Sequence, residues 1–128
     1  MRKFSTSWKR SKLPKKQHLY RHNAPKHTKG KLLRSLLSKE LRKKYNKRNA
    51  RVRKGDTIVV MRGQFRKKSG VITEVSMKRL KVFVEGIEVS KKDGSKARYP
   101  LEPSNLMIKE LNHQDKERTK GWEGAKEK

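Results

Sequence analysis

Cationic charge is piled into the first part of this sequence. Residues 1–54 hold 21 Lys and Arg against a single acid, Glu40, a net of +20; residues 55–128 hold 17 against 11, a net of +6. Like charges at that density repel one another and oppose compaction unless counter-charge comes from outside. The whole chain carries +26, with 39% charged and only 30% hydrophobic residues. Such a composition offsets little of its own ordering entropy, so part of the chain is expected to order only in a complex. The natural polyanion is nucleic acid, where each phosphate neutralised by Lys or Arg releases condensed counterions. A length of 128 residues suits one modest domain with appendages.

Other classes fit less well. The sequence shows no sustained basic amphipathic helix with an apolar face, and its longest apolar runs, such as Ile58-Val59-Val60-Met61, are far too short to span a bilayer. Residues 1–16 are basic and polar, without a signal-peptide core. Cysteine is absent, which leaves no disulfide framework and no thiolate metal site. A cytoplasmic protein with no membrane partner is expected. The histidines are His18, His22, His27 and His113; His18 and His22 are spaced i, i+4, but no acid or thiol lies beside them. No metal site is expected. No phosphate-cradling glycine loop is present, and the acids are scattered over the second half without a pair. The sequence therefore predicts no enzyme, no cofactor and no small-molecule substrate.

Residues 1–21 lack helical or strand periodicity and read as a basic extended tail. Phe4, Trp8 and Tyr20 stand among its charges, free to stack on bases while Lys9, Arg10, Lys15, Lys16 and Arg21 meet phosphates. Residues 22–50 read as a basic helical arm. Pro25 suits the first turn of a short helix with Asn23 as a cap, and Gly30 weakens it. Over 37–45, Ser38 is the N-cap, Glu40 lies in the first turn, and Arg42, Lys43 and Lys44 fill the last, complementing the helix dipole. Leu41 and Tyr45, at i, i+4, share the face that packs inward. Arg42, Lys43 and Lys44, on the opposite basic face, are expected to contact RNA, as are His22, Lys26, Lys29, Lys31, Arg34, Lys47, Arg48 and Arg51.

From residue 51 to 111 the pattern becomes mostly β. Lys54-Gly55-Asp56 turns into a strand at 57–61; a basic loop, 64–70, closes at Ser69-Gly70; and strands follow at 71–76 and 80–86. Ile87 and Val89 begin a fourth strand, Asp93-Gly94 makes a hairpin turn, the return lies near 96–100, and Leu106-Met107-Ile108 is the last strand. Short strands so spaced suggest a small barrel or sandwich. Its expected core is Ile58, Val60, Ile72, Val75, Val82, Val84, Ile87, Leu106 and Ile108. Ile72 and Val75 break alternation, which predicts a bulge. Arg62, Arg66, Lys67 and Lys68 in one loop, with Lys78 and Arg79 in the next, are expected to form one basic rim that reads RNA shape. Residues 112–128 read as a flexible tail with Trp122 as an interaction anchor.

Residues 53–80, with Gly55-Asp56, Ile58, Val60, Arg62-Gly63-Gln64-Phe65 and Gly70, resemble a KOW motif. Together with HNAPKH (22–27), LSKELRKKY (37–45) and Pro103-Ser104-Asn105, the stretch 20–110 resembles the archaeal and eukaryotic branch of large-subunit ribosomal protein twenty-four. The resemblance implies an SH3-like barrel. It implies binding to the 5′ region of large-subunit (23S-type) rRNA, a role early in subunit assembly, and a place near the nascent-peptide tunnel exit among neighbouring large-subunit ribosomal proteins. Two positions depart from the family pattern. Lys67 stands where a second loop glycine is usual, and Glu102 stands where a His often precedes the Pro-Ser-Asn triplet, so position 102 is not assigned to RNA.

Two other readings compete. A KOW-domain transcription elongation or RNA-binding factor usually adds an α/β domain, which residues 1–50 are too poor in apolar side chains to build. A DNA-compacting protein shares the charge but not the motifs.

Overall fold

The structure is a computed structural model that describes residues 3–114, 116–120 and 122. It is mixed rather than mostly β. A 3-10 turn, Thr6–Arg10, leads into helix α1, Pro14–Asn23. Helix α2 (Lys26–Leu32), strand β1 (Arg34–Leu37), helix α3 (Lys39–Tyr45) and strand β2 (Asn49–Arg51) follow. Strands β3 (Thr57–Val60), β4 (Ser69–Ser76) and β5 (Lys81–Val84) come next, then the hairpin β6 (Glu88–Ser90) and β7 (Lys96–Arg98). Strand β8 is Leu106–Glu110, and 3-10 turns at Pro103–Asn105 and Lys116–Arg118 precede and follow it.

The segment expected to be extended through residue 21 is therefore helical from Pro14. Proline suits a first turn because its missing N–H has no partner there in any case. No side chain of α1 is buried, so the helix carries no apolar stripe for periodicity to reveal. The second helix begins after Pro25, which occupies the N-cap position itself, and Asn23 ends the helix before it. Gly30 is tolerated inside α2 because the Arg51 guanidinium lies against it; a Cβ there would sit 2.9 Å from Arg51 Nη1. Helix α3 forms as expected. Ser38 Oγ accepts from Leu41 N–H at 3.3 Å, and Asn46 ends the helix in the left-handed region at φ 48°.

Six strands make one sheet in the order β2-β1-β8-β3-β4-β5, and β6-β7 form a separate hairpin. β1 runs parallel to β8, pairing Leu36 with Met107 and Leu37 with Ile108; the other neighbours are antiparallel. The sheet is open, with β2 and β5 as its end strands, where a closed barrel was expected. Beyond β4, β5 meets the chain again through a bridge from Val82 to Leu101. The bulge expected near Ile72 and Val75 is present as a register shift between Ile72 and Glu74. It lets β4 pair first with β3 and then with β5.

Eight of the nine expected core residues are buried, and Val75 is half-buried against them. Leu33, Leu37, Tyr45, Ala50 and Val52 join them. All but Val52 come from the stretch read as a helical arm, so β1 and β2 build it into the sheet, and the boundary expected at 50/51 falls inside β2. Burying a leucine fully is worth roughly 2 kcal/mol, so Leu33 and Leu37 help hold this segment against the sheet. Ser35, also buried, donates its hydroxyl to the Pro103 carbonyl at 2.6 Å, and Met61 N–H donates to the Asn105 carbonyl at 2.8 Å. The Pro103-Ser104-Asn105 triplet thus ties β1 and β3 to the start of β8.

The segment after β8, expected to be flexible, is docked as far as it is described. Arg118 is buried and both its terminal nitrogens meet Asp56. Trp122 packs edge-on to Tyr45 at 5.6 Å between ring centroids. Residues 123–128 of the expected tail lie outside the described residues.

Candidate nucleic-acid interface

None of the cations singled out in the sequence is buried; Lys29, Arg42 and Lys47 are half-exposed and the others exposed. Among the described residues, only Arg21 of this set is paired with a carboxylate. The others have no described carboxylate against them. The folded surface therefore holds its own repulsion, which a polyanion relieves.

At the N-terminus, Gln17 Nε2 donates to the carbonyls of Trp8, Lys9 and Ser11, closing the 3-10 turn onto α1. Phe4 lies 5.3 Å from the Tyr20 ring and 6.3 Å from Trp8. These aromatics, expected to be free for stacking on bases, are half-buried on one another instead. Lys9, Arg10, Lys15 and Lys16 remain exposed around them.

Helix α1 meets Glu102, in the link that precedes the Pro103–Asn105 turn. Its carboxylate pairs with Lys81 and lies 3.5 Å from the Arg21 guanidinium. Partial burial pushes the Glu102 carboxyl up, but the hydrogen bond and charge of Lys81, with Arg21 adding, outweigh it and hold the group below the ordinary glutamate value. Around this contact a groove of about 410 Å³ is lined by His18, Arg21 and His22 from the helix and by Lys78, Arg79 and Lys81 from the β4-β5 turn and β5. The His18 and His22 rings are stacked, 6.1 Å apart, along one side of the helix.

The β3-β4 loop presents Arg62, Arg66, Lys67 and Lys68 to solvent. Lys67 sits at φ 72°, so it adopts the left-handed conformation of the glycine usual at that position. Its N–H donates to the Val60 carbonyl at 2.8 Å, and Val60 N–H donates to the Lys68 carbonyl at 2.8 Å, which fixes the loop mouth. Phe65 stands edge-on to Tyr99 at 5.0 Å, with Lys68 Nζ 5.3 Å above its ring. A small groove beside this pair runs from Arg62 to Lys81 and Glu102. The expected single rim is therefore two grooves that share the Lys81–Glu102 pair, with a carboxylate between the cations.

A third concentration was not assembled by sequence reasoning. Arg34 of β1, Lys47 and Arg48 of the α3-β2 link, and Asn49 and Arg51 of β2 line a groove with Trp122. Lys47 Nζ lies 4.5 Å over the indole. Arg42, in contrast, donates Nε to the Leu37 carbonyl at 2.7 Å and so helps hold α3 to β1. Lys43 and Lys44 are exposed on α3, and Lys26 and Lys31 on α2. Sequence reasoning also passed over the hairpin lysines Lys91, Lys92 and Lys96, all exposed; the Asp-Gly turn there was legible, but its charge was not weighed.

Among the described residues, no helix is long and apolar enough to cross a membrane. The family model described as ribosomal proteins L26 of eukaryotes and L24 of archaea matches residues 11–123. The chain is similar to the large ribosomal subunit protein uL24 of Methanoculleus marisnigri, at 49% identity over 106 residues, 83% of this chain and 88% of that protein. It is 43% identical to uL24 of Methanospirillum hungatei over 114 residues, 89% of this chain and 95% of the relative. It is 47% identical to uL24 of Methanocorpusculum labreanum over 102 residues, 80% and 84% respectively.

Proposed function

This chain belongs to the family of ribosomal proteins L26 of eukaryotes and L24 of archaea, and from that premise we propose that it binds the 5′ region of large-subunit rRNA early in subunit assembly. It is a structural constituent of the large ribosomal subunit, not an enzyme. Its partners are then rRNA and neighbouring large-subunit ribosomal proteins, on the outer surface near the nascent-peptide tunnel exit of a cytoplasmic ribosome.

One observation carries the RNA-binding reading. The sheet holds its cations outward from β1, β2, the β3-β4 loop and the β4-β5 turn, and among the described residues Arg21 alone of the chosen set has an acidic partner. Arg34, Arg48, Arg51 and Arg62 supply planar forks for phosphate oxygens, whereas Lys67, Lys68 and Lys78 act as point charges. Phosphate and sugar contacts of this kind read the shape of a folded RNA more than its sequence. The protein's part is to clamp RNA segments on the folded sheet. Residues 1–21, attached through Arg21 to Glu102, add a second contact.

The test uses transcripts of separate regions of the large-subunit rRNA competing for the full chain at near-physiological salt. The 5′ region is expected to displace the others. Equal competition by every region, or by duplex DNA, contradicts the reading.

A further inference from the structure

We propose that the groove between β2 and Trp122 binds an unpaired RNA nucleotide, with its base stacked on the indole and its flanking phosphates held by Arg34 and Arg48. This rests on the RNA-binding reading and deepens it, because it names the part of the RNA that this groove takes.

The observations are independent of family. Arg34, Lys47, Arg48 and Arg51 converge here from three segments, and no described carboxylate pairs with them. The groove, about 410 Å³, falls in the size range of small-ligand sites. Trp122 is half-exposed, its ring nearly perpendicular to that of Tyr45, and it follows a segment held by the buried Arg118–Asp56 pair. A tryptophan serving only as a core plug gains nothing from a surrounding ring of uncompensated cations. Cations that serve only phosphates have no need of an indole. The combination is the chemistry of single-strand recognition, in which the backbone is neutralised and the base stacks on an aromatic face. The Lys47 ammonium over the ring is a resident cation that a base can replace, moving to a phosphate as it does so. A duplex keeps its bases stacked inside and offers none to the indole.

The chain has two tryptophans, so Trp8→Phe in the full chain leaves Trp122 as the sole indole emitter. This protein is titrated with a single-stranded oligoadenylate of about six nucleotides, within the usual site sizes, and with inorganic polyphosphate of matched charge. The oligoadenylate is expected to quench Trp122 emission to saturation, and polyphosphate to bind without quenching. Trp122→Leu is expected to weaken oligoadenylate binding roughly ten-fold, the scale of one lost base–aromatic stack, while Trp122→Phe stays within about two-fold. Thermal melting identifies any variant that fails to fold, in which case Trp122→Phe and the quenching decide. Unquenched emission on oligoadenylate binding, or equal affinity of the Leu and Phe variants, overturns the stacking site. If rRNA still binds in that case, only this inference fails; if no RNA binds, the functional reading fails with it.

Discussion

The guanidinium of Arg118 grips both carboxylate oxygens of Asp56, at 2.5 and 2.7 Å, across 62 residues of sequence. Asp56 is fully buried, and its carboxylate also accepts the backbone N–H groups of Arg53 and Asn112, each at 2.9 Å. Arg118 in turn donates to the Arg51 carbonyl at 2.8 Å. The pair therefore closes the C-terminal segment onto β2 and the turn before β3. Removing one partner leaves a buried charge. Arg118→Met is expected to lower the unfolding free energy by about 3 kcal/mol, measured by urea denaturation. A loss below about 0.5 kcal/mol, the level of an exposed pair, contradicts a closing role.

Lys67 is held at φ 72°, which costs a side chain about 1–2 kcal/mol. Lys67→Gly relieves that cost but gives the unfolded chain more freedom. The net expectation is a stabilisation of up to about 1 kcal/mol, read as a higher midpoint in the same denaturation. The variant also binds RNA slightly less tightly, because it loses a cation. Destabilisation by Lys67→Gly shows that the loop adopts another conformation.

Gly70 serves a different need. A Cβ there would lie 2.6 Å from the Glu85 carbonyl and 2.7 Å from Val84 Cγ1, so the backbone itself blocks a side chain. Gly70→Ala is expected to cost about 1–3 kcal/mol by overpacking. Gly63→Ala, where nothing stands within 4 Å and φ is 94°, costs the left-handed conformation alone, about 1 kcal/mol. Thermal melts of the two variants side by side check the order.

Much of this architecture could be read from short-range signals. Ser38 with Glu40 marked α3, Asp93-Gly94 marked the hairpin, and the broken alternation at Ile72 and Val75 marked the bulge. Strand β1 stayed hidden because it is four residues long, opens on a charge, and takes its identity from parallel pairing with the distant β8. Helix α1 stayed hidden because a helix that buries nothing leaves no stripe. Arg118 was one basic residue among many until the fold placed Asp56 against it. The cations of the candidate site were legible by type; their sorting into grooves, with Trp122 in one and Glu102 between two others, depended on tertiary placement.

Glu102 gives the attachment of α1 a pH dependence. Its carboxyl is held below the ordinary value in the folded state, so it contributes stability above the unfolded value that is lost as pH falls through the folded one. Glu102 and both of its partners keep substantial exposure, and screening limits the effect to about 0.5 kcal/mol. Glu102→Gln is expected to be less stable than the parent by that amount near pH 7. The two should converge as pH falls through the folded value, below the ordinary glutamate range, where the parent carboxyl is losing its charge. A constant gap between them across that range assigns the difference to packing instead.

The central claim is that the outward-facing cations of the folded sheet drive association with rRNA. Its most direct test is the affinity of the full chain for a 5′-region large-subunit transcript across a salt series. The logarithm of the association constant is expected to fall linearly with the logarithm of salt, with a slope reporting several phosphate contacts. Substituting Arg34, Arg48 and Arg62 together should flatten that slope by about two to three units. An affinity that stays level from low to physiological salt, or a slope unmoved by the triple substitution, contradicts the account.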